Sequence, residues 1–115
     1  MYKIISIIII SLLTSIIAPS IYAEEQSARL TTQAIKAQKI SIENFTFTPQ
    51  QLTIPVGTMV IWTNNDTVLH DVTFEKFGSK KLSNGETFNH IFAAKGTYSY
   101  VCTIHPSMKG EVIVK

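Results

Sequence analysis

The sequence predicts an all-β domain, a sandwich or a barrel, on three observations. From Gln38 onward the chain breaks into short runs rich in β-branched and aromatic residues. Residues with a mechanism for turning separate these runs, and no repeat or low-complexity tract interrupts them. The expected strands are Lys39 to Phe45, Gln51 to Ile54, Thr58 to Thr63, Leu69 to Phe74, Glu86 to Phe92, Thr97 to Cys102 and Glu111 to Lys115.

Each boundary has a local cause. Thr48-Pro49 and Pro55-Val56-Gly57 interrupt pairing, because proline donates no backbone hydrogen bond and glycine admits unusual dihedrals. Asn64-Asn65-Asp66 and Asn84-Gly85 tolerate left-handed geometry, and Lys95-Gly96 closes a hairpin. Alternation then assigns faces. His70, Val72 and Phe74 share one side of their run, as do Tyr98, Tyr100 and Cys102 in theirs, so that a histidine and a cysteine stand in rows of large apolar residues facing inward. Trp62, Tyr98 and Tyr100 are assigned to the core.

The chain ahead of this domain reads as an address and a spacer. Residues 1–23 have a charged start at Lys3, an apolar run from Ile4 to Ala18 and a small residue, Ala23, suited to signal-peptidase cleavage. That run is broken by Ser6, Ser11, Thr14 and Ser15 and is shorter than the ~20 apolar residues that span a bilayer. Export to the periplasm through a cleaved signal peptide is expected, with no stable membrane insertion afterwards. Residues 24–37 are polar and lack sustained periodicity, an N-terminal extension before a domain over 38–115.

Without the leader, nine Lys and Arg face eight Asp and Glu. So balanced a chain carries no basic footprint for nucleic acid and no polybasic segment for lipid. A monomer is expected. Lys76, Lys80 and Lys81 form a small basic cluster that reads as solvated surface. Cysteine usage is more informative. A single cysteine, Cys102, excludes an internal disulfide, and an unprotected thiol in an oxidising compartment invites oxidation. Something should occupy that sulfur.

The candidate occupant is a metal ion. Cys102, His105 and Met108 follow one another at intervals of three in one loop, and His70 joins them from an inward row. Each residue alone would be read as packing. Together they offer a thiolate, two imidazoles and a thioether. Zinc accepts Cys and His but gains little from a thioether, whereas copper takes this trigonal set with a weak axial Met in electron-transfer centres. His90, in phase with Phe88 and Phe92, is read as a core or edge histidine because four donors already complete the set.

The stretch from Tyr98 to Gly110, with two residues between Cys102 and His105 and two between His105 and Met108, resembles the ligand loop of the cupredoxins, the small type 1 blue copper proteins. Its spacing is most like that of amicyanin, with plastocyanin and pseudoazurin more distant. Phe45 to Pro49, Val56 to Asn64 and His70 to Phe74 match further segments of that family in order. The resemblance implies a Greek-key β-sandwich with one copper near one end. It also implies His70, Cys102 and His105 as equatorial ligands, Met108 as the axial ligand, and a partly exposed His105 edge through which electrons pass.

Redox proteins are the implied partners, an amine dehydrogenase as donor and a c-type cytochrome as acceptor. Two departures stand out: Asp71 where the family usually has Asn, and Ile104 where amicyanin-like loops usually have Pro. The Ile104 N–H has two readings, a donor to the Cys102 sulfur or a bystander whose side chain adds apolar surface around His105.

Competing functions are weaker on the same residues. Copper storage or delivery without a redox role calls for exposed Met and His clusters, which are lacking here. An oxidase or reductase needs an open coordination position or a second copper, and one closed ligand set supplies neither. A metal-free adhesion module leaves the ligand spacing to accident. The sequence thus predicts a non-enzymatic carrier that cycles between Cu(I) and Cu(II).

Overall fold

A computed structural model describes residues 34–115. The expected signal peptide and most of the expected extension lie outside the described residues. Ile35–Lys115 form one compact unit made of strands, β1 (Ala37–Glu43), β2 (Thr46–Thr48), β3 (Gln51–Ile54), β4 (Met59–Asn64), β5 (Thr73–Phe74), β6 (Thr87–Ile91), β7 (Gly96–Val101) and β8 (Lys109–Val114).

The strands build two mixed four-stranded sheets, in the orders β2-β1-β4-β6 and β3-β8-β7-β5. In each sheet one neighbouring pair is parallel, β1 with β4 and β3 with β8, which requires the chain to cross between sheets in the manner of a Greek key. The expected Greek-key β-sandwich is the fold. Ile40, Ile42, Phe47, Val60 and Trp62 from the first sheet meet Ile54, Phe74, Tyr100, Val112 and Val114 from the second in a single buried core. Alternation accounts for this. In β4 Val60, Trp62 and Asn64 are buried while Met59, Ile61 and Thr63 are only partly so.

The rings of Phe47, Trp62 and Phe74 surround Tyr100 at centroid distances of 4.7, 5.5 and 4.9 Å. This aromatic block fills the space beneath the loops that carry the candidate ligands. Gly110 lies opposite Tyr100 in the β7–β8 ladder, and a side chain there would collide with the phenol ring. Glycine at this position is what lets the ring lie flat against the neighbouring strand.

Two expected strands are corrected. The first strand ends at Glu43, because Asn44 and Phe45 both take left-handed backbone (φ 53° and 55°) and turn the chain back into β2. The expected strand over Leu69 to Phe74 shrinks to Thr73–Phe74, with His70 held in an isolated bridge to Leu82. His70, Asp71 and Val72 are all buried, so this stretch does not alternate. A segment enclosed on both sides satisfies its backbone through loops: His70 and Leu82 exchange N–H and C=O bonds at 3.2 and 2.7 Å, and Ser79 Oγ accepts from Val72 N at 2.9 Å.

Candidate metal centre

At one end of the sandwich β7 runs into the loop that carries Cys102 and His105, and β8 begins immediately after Met108. The loop closes on itself. Met108 N donates to His105 O at 2.9 Å, and Cys102 N donates to Met108 O at 3.1 Å. These two bonds fix the three candidate donors of the loop relative to one another. Cys102 and Met108 are buried, and His105 is half-buried.

His70 arrives from the connection between β4 of the first sheet and β5 of the second, and is fully buried. Its Nδ1 lies 3.8 Å from Cys102 Sγ, and His105 Nδ1 lies 3.8 Å from the same sulfur. The three donor atoms fall within 4.8 Å of one another, and the two imidazole centroids are 5.0 Å apart. Two donors each ~2.0–2.3 Å from one first-row ion and set about 120° apart are separated by ~3.8 Å, so the spacing fits a shared trigonal ion. The donor chemistry fits as well, since soft sulfur with imidazole suits copper. His90 stands apart from this group, stacked on Phe77 at 3.9 Å, and burial lowers its pKa.

The surroundings orient the donors. His70 Nε2 donates to Asp66 Oδ2 at 2.7 Å, which places the proton on Nε2 and leaves the Nδ1 lone pair facing the sulfur. Asp66 Oδ1 and Oδ2 also accept from Asn44 N at 2.8 Å and Phe45 N at 3.0 Å. Partial burial pushes the Asp66 carboxyl up, but the Phe45 and Asn44 N–H groups and His70 outweigh it and hold the group below its ordinary range.

Asp71 knots the site from the other side. Its Oδ1 accepts from Thr103 N at 2.8 Å and Thr73 Oγ1 at 3.1 Å, and Oδ2 takes the Thr103 hydroxyl. All three partners donate, so an acceptor-only carboxylate suits the place. Asp71 N also points at Cys102 Sγ, 3.4 Å away. This settles the question left open at Ile104. The donor to sulfur is Asp71 N, no bond from Ile104 N to the sulfur occurs among the described residues, and the Ile104 side chain is on the surface.

Sequence reading missed Asn64. It is wholly buried, donates from Nδ2 to Val68 O at 2.9 Å and Leu82 O at 2.8 Å, and accepts Asp66 N at 2.9 Å. One amide thus shapes the loop before His70 and sets Asp66 beneath it. The only signal in the sequence is an Asn at a strand end, where asparagine ordinarily forms turns.

Comparison with known proteins agrees with this geometry. The model of the cupredoxin-like domain family matches residues 6–114. Amicyanin-alpha of Methylorubrum extorquens is 36% identical over 84 residues, covering 67% of this chain and 71% of that protein. Amicyanin of Paracoccus versutus is 31% identical over 83 residues, covering 66% of this chain and 63% of its own length. Among solved structures, a purple cupredoxin from Nitrosopumilus maritimus superposes with a TM-score of 0.63 at 34% identity, covering 67% of this chain and 98% of that one. A family match over nearly the whole chain, with a His–Cys–His cluster at the expected end of the sandwich, shows that the chain belongs to the cupredoxin-like family and takes one type 1 copper ion.

Proposed function

We propose that this protein is a periplasmic single-electron carrier in which His70, Cys102 and His105 would hold copper and Met108 would be its weak fourth ligand. The observation that carries the reading is the meeting of one buried thiol with two imidazole Nδ1 atoms at 3.8 Å each. Copper bound there supplies a Cu(I)/Cu(II) couple with the thiolate as its strongest donor. The protein's own contribution is rigidity. Asp66 fixes the His70 ring, Asp71 pins Thr103 beside Cys102, and the two backbone bonds of the loop fix Met108 against both. A frame so tied changes little between oxidation states.

The surface around the site supports transfer to a docked protein. His105 is half-buried, and the exposed apolar residues Phe45, Val68, Leu69 and Ile104 neighbour the candidate ligands in space or in sequence. Such a rim desolvates readily, and contacts of this kind favour brief encounters between redox partners. An amine dehydrogenase as donor and a c-type cytochrome as acceptor are the partners suggested by likeness to the amicyanins. Among the described residues no helix is long and apolar enough to cross a membrane.

Titration with Cu(II) tests the assignment. The wild type should develop an intense thiolate-to-copper band in the red part of the visible at one equivalent of copper, and Cys102→Ser should lack it. A wild type that stays colourless would end the reading.

A further inference from the structure

Phe45 is 51% exposed, yet its ring is engaged on its inner edge. It stands edge-on to His70 at 5.3 Å and 89°, and edge-on to His105 at 4.9 Å and 89°. Phe45 belongs to the turn between β1 and β2 of the first sheet, whereas His105 belongs to the β7–β8 loop of the second. The ring therefore bridges the two sheets across the mouth of the metal centre.

Its backbone shows that the position is constrained. Asn44 and Phe45 form a two-residue hairpin turn with φ of 53° and 55°, and the second place in such a turn is normally given to glycine. An aromatic residue there is strained, and strain of this kind persists only where surrounding structure enforces it. Asp66 enforces it. Its carboxylate accepts both turn N–H groups at 2.8 and 3.0 Å while also accepting His70 Nε2 at 2.7 Å. One side chain thus sets a ligand ring and the aromatic residue that covers it.

We propose that Phe45 is a positioning residue that clamps His105 against His70 and keeps water from the rim of the copper site, with Asp66 as its anchor. This rests on the assignment of those histidines as ligands. The clamp acts on the half-buried imidazole of His105, the candidate ligand ring that reaches the surface, whereas the His70 ring is fully buried. Glycine at position 45 would relax the backbone while removing the cover, so stability and metal retention should move in opposite directions. Ordinary packing would move them together.

The test uses the full chain loaded with copper, in wild-type, Phe45→Gly and Phe45→Ala forms. After reduction with ascorbate, release to the Cu(I) chelator bathocuproine disulfonate should be roughly tenfold faster in both variants, the scale expected for two lost edge-on ring contacts. In the copper-free state Phe45→Gly should melt no lower than wild type and above Phe45→Ala, and the His105 ring proton resonances should shift in both variants. Wild-type release rates in both variants, or a Phe45→Gly protein that melts below wild type, would overturn the clamp. A wild type that takes up no copper would remove the ligand assignment and the clamp together, whereas a coloured wild type with unchanged release in the variants removes the clamp alone.

Discussion

Gly110→Ala should damage this protein far more than one added methyl suggests. A Cβ at that position would overlap Tyr100 Cζ and Oη and lie 2.7 Å from Cε2. Carbon atoms in contact settle near 3.5–4.0 Å, so the ring or the strand must move by more than ~1 Å. The ring has nowhere to go, since Phe47, Trp62 and Phe74 hold it at 4.7, 5.5 and 4.9 Å. Overpacking a tight core costs about 1–3 kcal/mol, and three simultaneous collisions place this change at the upper end. In a domain of this size each kcal/mol moves the melting midpoint by about 4–8 °C, so copper-free Gly110→Ala should melt ~10–20 °C below wild type. Scanning calorimetry or circular dichroism measures this. A midpoint within ~2 °C of wild type would mean that the β7–β8 ladder yields freely and that the argument from ring confinement is wrong.

Tyr100→Phe should be tolerated within about 1 kcal/mol, because the buried phenol has no well-formed hydrogen bond to lose, its polar neighbour being the equally unsatisfied Trp62 indole N–H. Combined with Gly110→Ala, it should recover part of the lost stability in the same melt. Asn64→Ala should cost about 2–4 kcal/mol by denaturant unfolding, since one buried and two part-buried bonds vanish, the Val68 carbonyl loses its donor and the Leu82 carbonyl keeps only His70 N. Met108→Gln, which puts a harder oxygen donor at the proposed axial position, should lower the reduction potential while the colour is broadly kept; voltammetry reads it. Glu86 is held at about 2 by the Lys80 ammonium, 2.5 Å away, and by the Ser83 N–H. Its folded value lies below its unfolded one, so its contribution is complete above the ordinary value of 4.5 and fades as pH falls toward 2. Unfolding followed across that window should show a limb that flattens in Glu86→Gln and shrinks in high salt.

The meeting of Cys102 with His105 was legible in the sequence because both lie within one loop, and their types and spacing point to a soft metal site, to which Met108 is a proposed addition. The alternation that placed Tyr98, Tyr100 and Cys102 inward also held, because β7 is a regular strand packed on one face. Period-two reasoning failed at His70 to Val72, where the chain is enclosed on both sides and its backbone is satisfied through Leu82 and Ser79. The turn at Asn44-Phe45 was hidden for a different reason. Nothing in an Asn-Phe pair between two β-rich runs announces a reversal, and the carboxylate that enforces it comes from Asp66, in another loop. Asn64, Asp66 and Asp71 act through hydrogen bonds to residues that are mostly remote in sequence, and such pairings become visible only when the fold brings the segments together.

The central claim, that these residues make a centre which exchanges electrons and keeps its metal, is met most directly by redox cycling under competition. The copper-loaded protein would be reduced and reoxidised by a soluble one-electron couple in the presence of a Cu(I) chelator, with the visible band followed throughout. Loss and full recovery of the band over repeated cycles are expected, one electron per protein, with no copper reaching the chelator on the timescale of the cycle. Copper passing to the chelator on each reduction would contradict the claim and point to storage or delivery of the ion instead.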